Sequence, residues 1–191
     1  MNDKNILDSF EENIQVISES KKLINEIQLA IELIIKCFSN KNKVVIFGNG
    51  GSAADSQHFA AEFIGRFQLE RQSLPVISLT TDSSILTALG NDYSFDKIFS
   101  RQCESIVEEN DVVIAISTSG NSLNVIKGII SSKNNGATII GILGNDGGKI
   151  KDLVNIPIII PSNSTPRIQE SHRLILHIIC DLVEQFFTDK K

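Results

Sequence analysis

Five short runs of β-branched and other apolar residues, all after residue 42, constrain the fold of this chain most strongly. Each run is apolar on both faces, and stretches of helical length separate the runs. Strands with this pattern are typical of a parallel sheet that helices cover on two sides. We therefore expect an α/β fold. The predicted strands are 43–48, 75–80, 111–117, 138–143 and 155–160.

The segments between these strands predict the helices that cover the sheet. Ahead of the first strand, residues 5–40 place apolar residues at helical spacing without Pro or Gly, which predicts one bent helix or two consecutive helices. The second half of this segment is apolar on more than one face, so we expect it to pack against its own sheet and against a partner. The predicted later helices are 52–64, 83–89, 95–107, 122–134 and about 166–187.

The composition suits one globular domain over residues 1–191, with N-terminal helices in 1–40 and an α/β core in 41–191. A net charge of −5 gives no basic surface, so we expect no nucleic-acid partner, and an anionic ligand would be held by local groups. The cysteines lack C-x-x-C spacing and predict buried thiols of a reducing compartment. They are Cys37, Cys103 and Cys180. Without a signal-peptide pattern or a long apolar run, we expect a cytoplasmic protein that makes no membrane contact.

Two loops are unusual, and both follow a predicted strand. Ligands of open parallel sheets bind where the carboxyl ends of the strands meet helix N-termini. The first loop, in "FGNGGSAADSQHFAAEF", places Gly48, Gly50 and Gly51 around Asn49, with Ser52 as the expected N-cap. Its spacing fits neither a P-loop nor a dinucleotide fingerprint. It is either a ligand site or a sterically tight turn.

The second loop, in "ISTSGNSLNVIKGI", carries four hydroxyls around Gly120. Hydroxyl donors next to a helix N-terminus can hold a dianionic phosphate. The alternative is a helix cap, but a cap requires one hydroxyl only. The sequence therefore favours a phosphate site. Its hydroxyls belong to Ser117, Thr118, Ser119 and Ser122.

Titratable side chains on two predicted helices suggest acid/base or metal chemistry. His58 and Glu62 lie on one helical face about 6 Å apart, as a metal-binding or acid/base pair or as an ordinary surface pair. His177 lies in an apolar run and requires a polar partner. Gln169 precedes it by about 12 Å along an ideal helix, so the two reach one ion only if their side chains lean together. His172 faces another direction, and we interpret it as structural.

These stretches, together with "GND" at 90–92, "GNDGGKI" and "RIQESHRLILH", resemble the sugar isomerase (SIS) domain of the bacterial phosphoheptose isomerases. The resemblance covers essentially the whole chain. It implies a single SIS domain with a flavodoxin-like, doubly wound five-stranded sheet and a long N-terminal helical segment used in oligomerisation. It also implies interconversion of D-sedoheptulose 7-phosphate and D-glycero-D-manno-heptose 7-phosphate, a step toward lipopolysaccharide core or capsule. The implied assembly is a homotetramer with sites at subunit interfaces and one zinc ion per subunit.

The resemblance also assigns roles to residues of this chain. It implies acid/base roles for Glu62 and His177, and it places Glu62 and Gln169 against the substrate as well as the metal. The residues implied to contact the sugar chain are Asn49, Gly50, Gly51, Asn91 and Asp92. Those implied to hold the phosphate are Ser52, Ser117, Thr118, Ser119 and Ser122. The implied metal ligands are His58, Glu62, Gln169 and His177.

Two non-enzymatic classes compete with this reading. "QHFAAEFIGRF" and "SLPVISLTTDSSILTALGND" also resemble a related SIS protein that binds the replication initiator DnaA. That branch lacks the carboxylate at the position of Glu62 and the histidine at the position of His177. Because both are present here, and binding alone would need neither, the sequence favours the isomerase. A sugar-phosphate-sensing regulator is a weaker alternative, because no DNA-binding domain is attached.

Overall fold

Five parallel strands form the sheet that the apolar runs predict. The computed structural model describes residues 3–188, so the outermost residues of the predicted domain, 1–2 and 189–191, lie outside the described part. The strand order is β2-β1-β3-β4-β5, and all neighbours are parallel. The strands are β1 Val44–Gly48, β2 Val76–Ser78, β3 Val112–Ser117, β4 Thr138–Leu143 and β5 Ile156–Ile159.

Seven α-helices accompany the sheet within the described residues. The N-terminal segment forms two helices separated by the 3-10 turn Lys21–Leu23, so the two-helix alternative is correct. None of the described helices is both long and apolar enough to span a bilayer. The helices are α1 Asp3–Ser20, α2 Ile24–Ser39, α3 Gly51–Ile64, α4 Ser83–Asp92, α5 Ser100–Ile106, α6 Leu123–Asn134 and α7 Thr165–Thr188.

Several predicted boundaries were wrong. The predicted helix 95–107 begins as the separate 3-10 turn Phe95–Lys97, because its first turn closes i→i+3 bonds such as Ile98 N–H to the Phe95 carbonyl. The predicted helix 83–89 continues to Asp92. The predicted strand 75–80 is shorter, because this edge strand begins after Pro75, which has no N–H to donate.

The sheet buries both faces, as its uninterrupted apolar strands predict. Val44 and Ile46 of β1 point into a core that includes residues of α2, α3 and α7. Val45 and Phe47 point to the opposite side, into a core shared with α5 and α6. Alternate side chains of one strand therefore anchor two helical layers.

The strand order determines where a ligand can bind. Strands β1 and β3 are neighbours, but the helices that follow them, α3 and α6, pack in different cores on opposite faces of the sheet. This is the topological switch point of a doubly wound sheet, where the loops separate and leave a crevice. The two loops singled out by sequence follow these two strands.

Candidate active site

The glycine loop, Gly48–Gly51, brings backbone close to two side chains at the end of β1. A Cβ on Gly48 would lie 2.7 Å from the Ser52 Cβ, and one on Gly51 would lie 2.5 Å from Gln169 Nε2. Gly50 has a φ of 55° and is itself the N-cap of α3. The prediction that Ser52 caps this helix was therefore wrong: Ser52 is buried in the first turn, because the glycine turn lets the helix begin one residue earlier.

The hydroxyl loop, Ser117–Ser122, begins at the end of β3, with Ser117 buried and Ser119 exposed. Ser117 Oγ accepts the Gly120 N–H at 3.2 Å and lies 3.3 Å from Ser122 Oγ. Ser122 occupies the N-cap position of α6, but its hydroxyl contacts Ser117 instead of capping the helix. Ser119 is exposed, and its Oγ accepts the Asn121 N–H at 3.2 Å. No side chain therefore caps α6, and Ser117 and Ser119 accept N–H groups of the loop itself.

A second turn, Asn145–Gly148, supports the hydroxyl loop from behind. Asn145 Nδ2 donates to the Thr118 carbonyl at 2.8 Å, and the Ile150 N–H donates to the Gly120 carbonyl at 3.0 Å. Gly120 has a φ of 64°, and a Cβ there would overlap the Gly147 carbonyl. In the sequence, "GNDGGKI" contributed only to the family resemblance, although its paired glycines signal close backbone contact.

An asparagine pair joins the two loops across the switch point. Asn49 Nδ2 donates to Asn124 Oδ1 at 2.9 Å, and Asn124 Nδ2 donates to Asn49 Oδ1 at 2.8 Å. Asn124 is 3% exposed. The sequence analysis missed this residue; the available signal was an amide in the first turns of a helix with a buried face. The pair fixes the distance between the loops and orients Asn49.

Titratable side chains from α3 and α7 meet between these two helices. His58 Nε2 lies 2.8 Å from His177 Nε2 and 3.4 Å from Glu62 Oε1. The two imidazole rings meet edge to face, with centroids 5.0 Å apart. The Glu62 side chain is 20% exposed. His177 finds in His58 the polar partner that it requires. His58 and Glu62 therefore belong to a three-residue cluster and are not an isolated surface pair.

Gln169 lies on the same side of α7 as His177. Both line a cleft of about 410 Å³ together with Gly51 of the glycine loop. The buried Asp55 of α3 and Arg173 of α7 also line this cleft, and Arg173 Nε donates to Asp55 Oδ1 at 2.9 Å. This ion pair, which the sequence analysis did not identify, adds a second contact between the two helices that carry the acid/base groups.

The histidines differ in their electrostatics. Burial, and after it the neighbouring His58, lowers the pKa of His177, while Glu62 acts in the opposite direction. His177 therefore favours the neutral imidazole, which can accept a proton or bind a cation. His172 is fully buried, its Nε2–H donates to the Leu143 carbonyl at 3.0 Å, and burial lowers its pKa to about 4.

The side chains predicted to hold a metal have suitable ligand atoms for zinc. The distance between the two histidine nitrogens, however, is too short for both to bind one ion. Two imidazoles, a carboxylate and an amide oxygen suit zinc. Across residues 3–188, no group of three or more His, Cys, Asp or Glu side chains is arranged as a metal site. Two nitrogens that share a zinc ion lie about 3.3 Å apart, whereas those of His58 and His177 are at hydrogen-bond distance. A bound ion would require the two rings to separate slightly.

Asn91 and Asp92 belong to α4 and to neither loop. Both are exposed in the last turn of α4, and Asn91 Nδ2 donates to Asp92 Oδ1 at 2.9 Å. The predicted sugar-binding residues therefore come from two segments, with Asn49, Gly50 and Gly51 in the glycine loop and these two in α4.

Sequence comparison defines the class of protein to which this fold and site belong. Residues 8–144 match the family model of the SIS domain. Because this match covers more than half of the chain, the chain belongs to the SIS domain family.

Individual relatives show which members of the SIS family this chain is similar to. The chain is 53% identical over 165 residues to the phosphoheptose isomerase of Geobacter sulfurreducens, a match that covers 86% of this chain and 87% of that protein. The solved phosphoheptose isomerase of Neisseria gonorrhoeae is 40% identical, with a TM-score of 0.91 over 96% of this chain and 98% of that one. The Francisella tularensis enzyme is 34% identical, with a TM-score of 0.92 over 97% and 100%. Within the SIS family the chain groups with the phosphoheptose isomerases, which are aldose–ketose isomerases.

Proposed function

We propose that the chain converts D-sedoheptulose 7-phosphate to D-glycero-D-manno-heptose 7-phosphate through an enediolate. The observation that carries this proposal is the contact of His58 with both Glu62 and His177, the last of which lines a cleft beside the glycine loop. The names of the relatives support an isomerase that acts on a phosphoheptose. The product would supply heptose for lipopolysaccharide core or capsule. The comparisons give no support to the alternative in which the chain binds DnaA.

Substrate binding is assigned to the two loops and to the cleft between α3 and α7. The hydroxyls of the loop and the N-terminus of α6 would hold the phosphate as local groups, because a net charge of −5 provides no attractive overall field for an anion. The glycine loop would hold the sugar chain by its backbone. We propose as substrate-binding residues Asn49, Gly50, Gly51, Ser52, Glu62, Asn91, Asp92, Ser117, Thr118, Ser119, Ser122 and Gln169.

The reaction moves a carbonyl from C2 to C1. A base must remove a proton from C1, the negative charge must be stabilised on oxygen, and a proton must return to C2. Glu62 would take the carbon-bound proton. Neutral His177 would accept a proton and donate it again, because burial favours its uncharged form. We propose these two residues as the acid/base pair.

We further propose one zinc ion per subunit, held by His58, Glu62, Gln169 and His177. When bound, zinc would polarise the substrate carbonyl as a Lewis acid. Dialysis against a chelator should remove both metal and activity, and zinc should restore both. His58→Ala should lower the metal content measured by atomic absorption as well as the rate. Full activity in protein shown to be free of metal would contradict the zinc proposal and leave the acid/base roles intact.

Assembly, location and domain organisation are part of the same proposal. We propose one domain over residues 1–191, because Ala30 and Ile34 of α2 are fully buried in the core of the sheet. We propose a homotetramer in which Asn91 and Asp92 contribute to sites at subunit interfaces, because both are exposed. A cytoplasmic location is supported by the three cysteines, which are buried free thiols.

The decisive experiment combines turnover with proton exchange. Purified protein is incubated with sedoheptulose 7-phosphate in deuterated water, and NMR follows the aldose phosphate and the loss of the C1 proton. Glu62→Gln keeps the size of the side chain but removes the base, so kcat should fall about 10²- to 10⁴-fold, while calorimetry should still detect binding. A Glu62→Gln protein that turns over and exchanges like the parent would refute the role of Glu62. A parent that binds without turnover or exchange, with zinc present, would refute the isomerase.

A further inference from the structure

A buried arginine caps the C-terminal end of α3, the helix that carries Glu62. Arg71 is 7% exposed and lies in the segment between α3 and β2. Its Nη2 donates to the Glu62 carbonyl at 2.8 Å, and its Nη1 donates to the carbonyls of Phe63 at 2.8 Å, Gly65 at 3.3 Å and Gln72 at 3.0 Å. The last carbonyls of a helix have no partner within the helix. Here one guanidinium satisfies two of them.

A buried glutamate from α7 holds the same segment from the other side. Glu184 is 1% exposed, and its carboxylate accepts the three N–H groups of residues 67–69 at 2.8, 2.6 and 2.7 Å. Arg71 Nε lies 3.3 Å from Glu184 Oε1. Burial alone would raise the pKa of Glu184, but these backbone hydrogen bonds and Arg71 outweigh burial and lower it. The carboxylate is therefore ionised and engaged at both oxygens.

Arg71 and Glu184, which we call the clamp, are connected by two short paths to the cluster of Glu62, His58 and His177. Glu184 lies two turns after His177 on α7, so the two side chains share a face of the helix. Phe67, whose N–H Glu184 accepts, also places its ring 5.5 Å from the imidazole of His177. Through Arg71, the clamp reaches the backbone of Glu62. It therefore contacts the supports of both proposed acid/base residues.

We propose that Arg71 and Glu184 form a positioning pair that sets the register of α3 against α7, so that Glu62 and His58 meet His177. Neither residue is placed to touch substrate, because both are buried beneath the segment that they hold. The pair also fixes Phe67 against one side of His177. The kinetic part of this inference rests on the proposed isomerase function, whereas the geometric part does not.

The test compares Glu184→Gln with a matched control, Asp111→Asn. Asp111 is also a fully buried carboxylate, which accepts the Lys43 and Glu108 N–H groups at 3.1 and 2.8 Å and pairs with Lys43 Nζ at 2.9 Å. It precedes β3, at the sheet edge opposite the site. Both variants remove one buried charge from comparable surroundings, so a loss common to both reports stability alone.

Two measurements separate positioning from stability. A misplacement of about 1 Å costs up to about 10²-fold in rate, so Glu184→Gln should lower kcat about 10- to 100-fold and change KM less than about threefold. The chain has three histidines, so imidazole NMR of the metal-free protein resolves each one. Glu184→Gln should shift the His58 and His177 signals and leave His172 unchanged. Asp111→Asn should leave all three signals and kcat unchanged.

Unchanged His58 and His177 signals in folded Glu184→Gln would overturn the proposal, as would an equal loss of kcat in Asp111→Asn. If Glu184→Gln does not fold, Arg71→Lys applies the same test, because it keeps the charge but loses the fork that binds the Glu62 and Phe63 carbonyls. A parent protein that does not isomerise the heptose phosphate would refute the proposed function. The imidazole signals would still decide whether the pair positions the cluster.

Discussion

At the scale of single residues, the hydroxyl loop divides its side chains between two tasks. Ser117 is buried and accepts the Gly120 N–H, so it maintains the loop as well as facing Ser122. Ser119 is exposed and contacts only the neighbouring Asn121 among the described hydrogen bonds. A substitution at Ser119 therefore tests ligand binding with little effect on folding.

We expect Ser119→Ala to weaken binding of the sugar phosphate without unfolding the protein. A hydrogen bond to a charged group is worth about 1.5 to 3 kcal/mol, which corresponds to roughly 10- to 150-fold in Kd. The Ser117→Ala, Ser119→Ala pair should bind still more weakly, with some loss of stability. Calorimetry measures Kd, and Ser105→Ala, at an exposed serine of α5, is the control. Equal Kd values for Ser119→Ala and the parent would assign the loop to a purely structural role.

His172 should make the folded state sensitive to acid. Its pKa is about 4 in the folded protein and 6.5 when unfolded, so the unfolded state binds more protons between these values. Stability is therefore fully present above pH 6.5 and should fall by about 3 kcal/mol toward pH 4. In urea unfolding at several pH values, His172→Asn should show a flatter dependence than the parent. An identical dependence would mean that the His172 pKa is not lowered.

At the scale of elements, the sequence predicted the strands and most helices because their signals are local. The apolar run at 111–117 and the helix at 122–134 lie within one residue of β3 and α6. The contact of α3 with α7 was not predictable in the same way. It depends on Arg71 and Glu184, which are far apart in sequence and show no pattern that pairs them. The spacing of His58 and His177 depends on that contact.

The interlocked loops make a prediction at this scale. Gly120→Ala would introduce a Cβ at positive φ and against the Gly147 carbonyl, so the hydroxyl loop must move. We expect a lower melting temperature and a loss of phosphate binding together. Gly90→Ala is the control, because Gly90 lies in α4 with no atom within 4 Å of an added Cβ. It should be neutral or stabilising by up to about 1 kcal/mol. Normal binding by Gly120→Ala would show that the loop tolerates displacement.

At the scale of the whole molecule, α1 exposes an apolar stripe that nothing within residues 3–188 covers. Leu7, Phe10 and Ile14 are 62%, 64% and 56% exposed and lie at helical spacing on one side. By contrast, α2 buries Ala30 and Ile34 in the core. The sequence predicted the apolar character of both helices, but not this division, because apolar spacing does not specify which surface covers a face.

We expect the α1 stripe to be an interface of the proposed tetramer. Deleting residues 1–40 should cause aggregation or a smaller oligomer, but it also removes core residues of α2. Leu7→Glu with Phe10→Glu is the sharper test, because it changes only exposed side chains, and analytical ultracentrifugation should show a smaller species. Gln15→Glu, exposed on the same helix, is the control. An intact, active tetramer in the double variant would exclude α1 from the interface.

The contact between Gly120 and the Gly147–Gly148 turn also has a consequence for protein engineering. The two backbones approach so closely that neither leaves room for a side chain on the other. A specificity loop transplanted from another sugar-phosphate isomerase into residues 117–122 would therefore collide with the native turn. The hydroxyl loop and the turn must therefore be exchanged together. Libraries of variants that change only one of the two segments should yield mostly misfolded proteins.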